Sequence, residues 1–273
     1  MAEKPPSPLA GKRVVITRAE SQSASLAQAL RAKAAEVISL PLIRILPPED
    51  TADFDSALCN LAKFDWLVFT SQNAVSAIAE RLEAIGIRRN TNHGKPKVAA
   101  VGRSTAESAE SLGFVVAYTG KGGTAADLVQ ELANELRGKR ALLPRSDKAA
   151  TALIRQLREV GAEVTEVVAY RTVYVAAVEA NAREGLATCD AVLFFSPSVV
   201  HAFLSLVKTG VLSSLQERVA VGAIGPVTVS SLYEAGIRCD FQAGEPRVDG
   251  IVAALAAHFE RTKMVSASGV QSR

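Results

Sequence analysis

Phe64-Asp65-Trp66-Leu67-Val68-Phe69-Thr70-Ser71-Gln72-Asn73-Ala74-Val75 returns about 125 residues later as Cys189-Asp190-Ala191-Val192-Leu193-Phe194-Phe195-Ser196-Pro197-Ser198-Val199-Val200. Each stretch runs a short apolar segment into a Ser-containing turn and then into a helical pattern. Other matches keep step with it. Gly102-x-x-Thr105, followed by Gly113, returns 123 residues on as Gly225-x-x-Thr228, followed by Gly236. Arg18, Leu30, Glu36 and Arg44 return 127 residues on as Arg145, Leu157, Glu163 and Arg171. Solenoid and propeller repeats have periods of roughly 20–50 residues. A period this long predicts two similar α/β domains with a cleft between them.

The bulk properties agree. The 273 residues are enough for about two domains, each with its own core. Hydrophobic residues make up 48% and charged residues 22%, as in a soluble globular protein. A net charge of +3 gives no warrant for nucleic-acid binding, although a slight excess of Lys and Arg suits an acidic small molecule. Cys59, Cys189 and Cys239 have no metal-like spacing, and they read as small core hydrophobes in a reducing compartment. No signal-peptide pattern opens the chain and no apolar run approaches a membrane span. A cytoplasmic protein that contacts neither nucleic acid nor membrane is expected.

Between a Pro-rich start (residues 1–9) and a polar end (263–273), both expected to be disordered, strand and helix patterns alternate. Strands are predicted at 13–17, 66–70, 98–101, 140–143, 191–195 and 219–224. Helices are predicted at 21–34, 73–82, 105–112, 124–136, 149–160, 199–207, 227–235 and 250–259. Gly113, Gly161 and Gly236 read as helix stops. This alternation predicts mostly parallel sheets flanked by helices. Two extended runs, 37–46 and 164–175, interrupt it, and Pro41 marks the first as an edge or linker strand. Because Arg44 and Arg171 are repeat-equivalent, the runs are expected to pair as a two-stranded antiparallel linker. Domain one would then be discontinuous, 10–38 with 176–262. Residues 47–168 would form an inserted domain two, with 39–46 and 169–175 as the linker strands.

Ligands of parallel α/β sheets bind beyond the carboxyl ends of the strands. Small polar residues or glycines stand at those turns repeatedly: Thr17-Arg18, Thr70-Ser71-Gln72-Asn73, Gly102-Arg103-Ser104-Thr105, Pro144-Arg145-Ser146, Ser196-Pro197-Ser198 and Gly225-Pro226-Val227-Thr228. Helix N-termini offer free N–H groups and positive dipole ends, which suit anions. Helix capping alone explains any single turn, and Pro197 and Pro226 look like N1 prolines. Arg18 and Arg145 could equally make surface ion pairs. The repetition in both halves is what favours a binding surface. His93, His201 and His258 lack ligand spacing, and Gly120-Lys121-Gly122-Gly123 reads as a connector rather than a nucleotide loop. No HExxH, GxSxG or Walker motif is present.

In this order and spacing, residues 14–18, Phe69-Thr70-Ser71-Gln72-Asn73-Ala74-Val75, Val101-Gly102-x-x-Thr105, Leu143-Pro144-Arg145, Val168-Ala169-Tyr170-Arg171-Thr172, Phe195-Ser196-Pro197-Ser198 and Ile224-Gly225-Pro226-x-Thr228 resemble the uroporphyrinogen-III synthase family. The resemblance implies two α/β domains joined by a two-stranded ladder, with the active site in the interdomain cleft. It implies a lyase without cofactor or metal. Hydroxymethylbilane would lose its ring A hydroxyl as water and close through a spiro intermediate, with ring D inverted, to uroporphyrinogen III, a precursor of haem, sirohaem and corrinoids. It also assigns roles. Tyr170 matches the family's linker tyrosine and would donate a proton to the leaving hydroxyl, the alternative being a packed strand aromatic. Thr17, Arg18, Ser71, Asn73, Gly102, Thr105, Arg145, Ser196, Ser198, Gly225 and Thr228 would hold the substrate's carboxylates. A monomer is expected, with transient contact to hydroxymethylbilane synthase. Two positions depart from the pattern: Ala19 stands where family members often have Pro, and Ala34 where they often have Gly. A two-domain binding protein closing on an acidic ligand is the non-enzymatic alternative.

Overall fold

Short apolar runs interleaved with amphipathic helix-length segments dictate parallel strands, because each return to the sheet is made through a helix. The computed structural model describes residues 7–18, 20–87, 96–122, 124–149, 151–175, 180–206 and 217–268. In chain order the elements are β1 (Arg13–Ile16), α1 (Glu20–Arg31), β2 (Glu36–Ser39), β3 (Ile43–Leu46), α2 (Ala52–Cys59), β4 (Trp66–Phe69), α3 (Gln72–Ala84), β5 (Lys97–Ala100), α4 (Arg103–Ser111), β6 (Val116–Thr119), α5 (Ala125–Glu131) and α6 (Ala133–Leu136). There follow β7 (Arg140–Ser146), α7 (Ala152–Glu159), β8 (Glu163–Tyr174), α8 (Ala180–Thr188), β9 (Ala191–Phe194), α9 (Pro197–Leu206), β10 (Ala220–Ala223), α10 (Pro226–Glu234), β11 (Phe241–Gln242) and α11 (Val248–Ser268).

The chain divides into two compact units, Met1–Arg44 with Tyr174–Arg273, and Ile45–Val173. The five-stranded sheet runs β11-β10-β9-β1-β2 and the six-stranded sheet β6-β5-β4-β7-β8-β3. Carrying the internal repeat onto these orders matches β9 to β4, β10 to β5, β1 to β7 and β2 to β8. The two sheets therefore share one strand order, reached in a permuted chain order. β1 pairs in parallel with β2 and β9, and β4 in parallel with β5 and β7. β1 buries Val15 in one core cluster, with Val192 and Phe194, and Val14 and Ile16 in another, with Ala191 and Leu193. β4 divides likewise, Leu67 and Phe69 against Trp66 and Val68. Both faces of each sheet are covered, as parallel sheets require.

The repeat reaches individual hydrogen bonds. Asp65 accepts from the Arg140 N–H at 2.8 Å through its side chain and returns its own N–H to Arg140 O at 2.8 Å, while Lys97 N–H donates to Asp65 O. Asp190 does the same with Arg13, at 2.8 Å in both directions, and Ala220 N–H donates to Asp190 O. One aspartate per unit thus joins three neighbouring strands at their starts. The repeat-equivalent helices α4 and α10 end alike. Gly113 and Gly236 take φ of 84° and 69°, as expected of helix stops.

Several expectations need correction. Leu9 is fully buried in the cluster of Val14 and Leu30, so the disordered start does not extend to it; residues 1–6 lie outside the described residues. The polar end is helical through Ser268 because α11 continues past Phe259. β7 runs on to Ser146 and takes in Pro144 and Arg145, which were expected in a turn. Its pairing with β4 ends at Leu142, so Pro144 denies no hydrogen bond on that side. β8 is one strand whose register with β7 continues to Tyr170, which therefore belongs to the six-stranded sheet, where β3 is the neighbour of β8 on its other side. Pro41 falls in the break between β2 and β3, and β2 is an edge strand, as its neighbourhood foretold.

Candidate active site

Adjacent parallel strands put their carboxyl ends side by side, and the expected residues gather there within each unit. In Ile45–Val173, Ser71 follows β4 and caps α3, its Oγ accepting the Ala74 N–H at 3.2 Å. The same Oγ lies 3.1 Å from the Tyr170 hydroxyl, and Asn73 hydrogen-bonds that phenol too. Gln72 Nε2 donates to Ser104 O at 3.0 Å, which ties the start of α3 to the start of α4. Tyr170 is 8% exposed and packs in the cluster of Phe69 and Val75. Burial pushes its pKa above the ordinary tyrosine value, against the opposing effect of the Ser71 and Asn73 bonds. The group is a protonated phenol at neutral pH.

Why Tyr170 points there follows from a register shift. Arg145 stands opposite Val168, but Ser146 stands opposite Tyr170, so Ala169 is an extra residue in β8. A bulge re-aims the side chains beyond it. Ala169 and Tyr170, though consecutive, both enter the cluster that also holds Val167.

Gly102 caps α4 and Gly225 caps α10 with φ of −161° and −171°, extended conformations open to any residue. A Cβ built on either would meet no atom within 4 Å. Neither backbone conformation nor crowding demands glycine at these turns. The space beside each glycine leaves its backbone accessible. Three residues on, Thr105 and Thr228 are 6% and 3% exposed.

In the other unit, Arg18 follows β1, its guanidinium 5.9 Å from the centre of the Phe195 ring. Burial lowers its pKa, and it keeps its charge because arginine does not deprotonate in proteins. Ser196 and Ser198 face each other with Oγ atoms 3.0 Å apart.

One expected contact is corrected. Thr17 is fully buried and donates its hydroxyl to Leu193 O at 2.6 Å, a bond between β1 and β9. Arg145, 17% exposed, is bound to Glu166 of the neighbouring strand β8 at 2.7 Å and to Ala149 O at 2.7 Å. The sequence reading passed over Asp147, which is bonded to Thr172 beside Tyr170, and gave no role to Thr172 or to Phe195, which lies under Arg18. A Ser-Asp pair at the end of a strand, Ser146-Asp147, is the signal that marks Asp147.

Of the histidines, His258 lies 5.3 Å from Phe241, centre to centre, with its pKa lowered by burial, and His201 is an exposed residue of α9; His93 lies outside the described residues. Lys121 N–H donates to the Glu131 carboxylate, so the Gly120 loop serves the protein rather than a phosphate. Among the described residues no group of three or more His, Cys, Asp or Glu side chains could hold a metal, and no helix is long and apolar enough to cross a membrane.

Comparison with known proteins gives this geometry a lineage. Residues 24–253 match the family model of uroporphyrinogen-III synthase HemD. A uroporphyrinogen-III synthase of Synechococcus elongatus is 33% identical over 261 residues, covering 93% of this chain and 97% of its own. A chloroplastic uroporphyrinogen-III synthase of Oryza sativa is 29% identical, covering 90% and 81%. Among solved structures, a mutant uroporphyrinogen III synthase of Thermus thermophilus superposes with a TM-score of 0.65 at 20% identity, over 92% of this chain and all of that one. The Helicobacter pylori uroporphyrinogen-III synthetase gives 0.57 at 20% identity, over 89% and 97%. Matched along nearly its whole length in sequence and in fold, the chain belongs to the uroporphyrinogen-III synthase family.

Proposed function

We propose that this chain cyclises hydroxymethylbilane to uroporphyrinogen III with the phenol of Tyr170 as proton donor to the departing ring A hydroxyl. The observation that carries this is the Tyr170 hydroxyl itself, buried, protonated and held by Ser71 and Asn73 at the carboxyl ends of the strands. Ser71 and Asn73 donate to the phenol oxygen and leave its O–H for the leaving group. The C–O bond breaks, water departs with the phenol proton, and the same two donors stabilise the phenolate. The proton returns when the reclosing pyrrole sheds its own.

The substrate's eight carboxylates need many moderate contacts. The open helix starts at Gly102 and Gly225, the hydroxyls of Thr105, Thr228, Ser196 and Ser198, and the cation of Arg18 supply them. In this reading both units contribute contacts to the substrate, with β3 and the end of β8 as the linker. The main task is conformational: a bilane held in one folded shape closes with ring D inverted.

The test supplies hydroxymethylbilane and separates the type I and type III isomers, with Tyr170→Phe alongside. Type III is expected from the wild type without metal or nucleotide. Tyr170→Phe is expected to keep the isomer outcome and to lower kcat about tenfold with KM nearly unchanged. That loss is below the usual 10²–10⁴-fold worth of general acid assistance, because water can stand in for the phenol. An isomer ratio equal to the enzyme-free control would sink the activity. A wild-type rate in Tyr170→Phe would remove the phenol from the chemistry.

A further inference from the structure

The bulge that turns Tyr170 toward Ser71 is held by a side-chain knot on its open side. Asp147 N–H donates to Tyr170 O at 3.1 Å, and Asp147 Oδ1 accepts from Thr172 N–H at 2.9 Å and from Ser146 Oγ at 2.9 Å. Ser146 Oγ also lies 3.0 Å from Thr172 Oγ1 and accepts the Lys148 N–H at 3.2 Å. Proton bookkeeping closes one way. Ser146 has one hydroxyl proton and gives it to the carboxylate, so Thr172 must donate its own to Ser146. Every donor in the knot is used, and residues 146–147 grip residues 170 and 172 on either side of Arg171. Ser146 and Thr172 are buried, whereas Asp147 is exposed. The Oδ1 of this exposed aspartate thus accepts from two buried residues. Burial would raise its pKa, but the Thr172, Ser146 and Lys148 bonds hold it below the ordinary carboxylate value.

We propose that Asp147 is a positioning residue for Tyr170: its Oδ1 fixes the bulge at Ala169 and so sets the phenol on Ser71 and Asn73. Without it, β8 can recover the regular register in which Ser146 stands opposite Ala169. A one-residue slip carries a side chain to the other face of a sheet. The proposal rests on the assignment of Tyr170 as proton donor for its effect on rate, but not for its effect on position.

The experiment labels the tyrosines with ¹³C at Cζ and assigns the Tyr170 signal by its loss in Tyr170→Phe. Asp147→Ala is expected to move that signal and to lower kcat about two- to tenfold, the worth of one displaced neutral hydrogen bond, with KM little changed. Asp147→Asn keeps an Oδ1 acceptor for both bonds and is expected to restore signal and rate together. Should Asp147→Ala not fold, Asp147→Glu keeps the charge but displaces the oxygen, and it is expected to behave as Ala would. An unmoved Tyr170 signal in Asp147→Ala or Asp147→Glu overturns the proposal whatever the rate does. An Asp147→Asn variant as damaged as Asp147→Ala overturns it too. A moved signal combined with a wild-type rate in Tyr170→Phe upholds Asp147 as the positioning residue and removes the proton-donor role instead.

Discussion

Ala34 holds a φ of 62°, and among the described residues it is the only non-glycine with positive φ. Its neighbours fix it there: Ala35 N–H reaches back to Leu30 O at 3.1 Å, and Gly11 N–H donates to Ala34 O at 2.8 Å. A methyl group in the left-handed region costs roughly 1–2 kcal/mol, and a glycine gives back about 0.4–1 kcal/mol through its freer unfolded chain. Ala34→Gly is therefore expected to stabilise the protein by up to about 1 kcal/mol, read as a raised urea midpoint at unchanged slope. A lower midpoint would mean that residue 34 does not take the left-handed conformation. At this scale the sequence was a partial guide. Ala34 was visible as a departure from the family's Gly, and Tyr170, Thr105 and Thr228 were named from their motifs. Thr17 and Arg145 were named as well, yet their partners, Leu193 O and Glu166, lie 176 and 21 residues away, and no local pattern announces such bonds.

Among the elements, α3 puts a helix cap and a contact with the proposed proton donor on one atom. Ser71 gives its oxygen to the Ala74 N–H and meets the Tyr170 phenol with the same atom. Ser71→Ala is expected to lose the cap, about 1 kcal/mol of stability, and also one donor to the phenolate. Ser71→Asp preserves the cap in stability measurements but replaces that donor with a negative acceptor, so its kcat should fall below that of Ser71→Ala. Equal rates in the two variants, each with its fold intact, would show that Ser71 only caps. Strands and helix starts were legible because period and turn residues are local signals. The bulge at Ala169 was not, because a bulge is a relation between two strands, here β7 and β8, and neither strand carries it alone. Leu9 escaped for a similar reason, since a Pro-rich surrounding says nothing of the core that one leucine enters.

At the scale of the molecule, the repeat is what the sequence showed best, and its consequence is the shared strand order of the two sheets. The pair Asp65 and Asp190 makes that symmetry measurable. Each carboxylate accepts a backbone N–H from the start of the next strand. For Asp65 the Arg140 N–H bond is the largest influence and lowers the pKa. For Asp190 burial would raise it, but the Arg13 N–H bond and Lys12, 2.8 Å away, prevail and lower it. A carboxyl whose folded pKa lies below its unfolded value binds its proton more readily in the unfolded chain. Its contribution to stability is complete above the unfolded pKa, about 3.9 for aspartate, and is lost as pH falls through the lower folded value. Asp190→Asn keeps an acceptor for Arg13 but gives up the charge. Its urea midpoint is expected to lie below that of the wild type at pH 7, with the gap closing as pH falls below about 4, where the wild-type carboxylate is itself neutralised. Asp65→Asn should repeat this in the other unit, since the same residue makes the same bond there. A gap that stays constant down to pH 2 would show that the charge at these strand starts adds nothing and that the repeat conserves only the shape of the hydrogen bond.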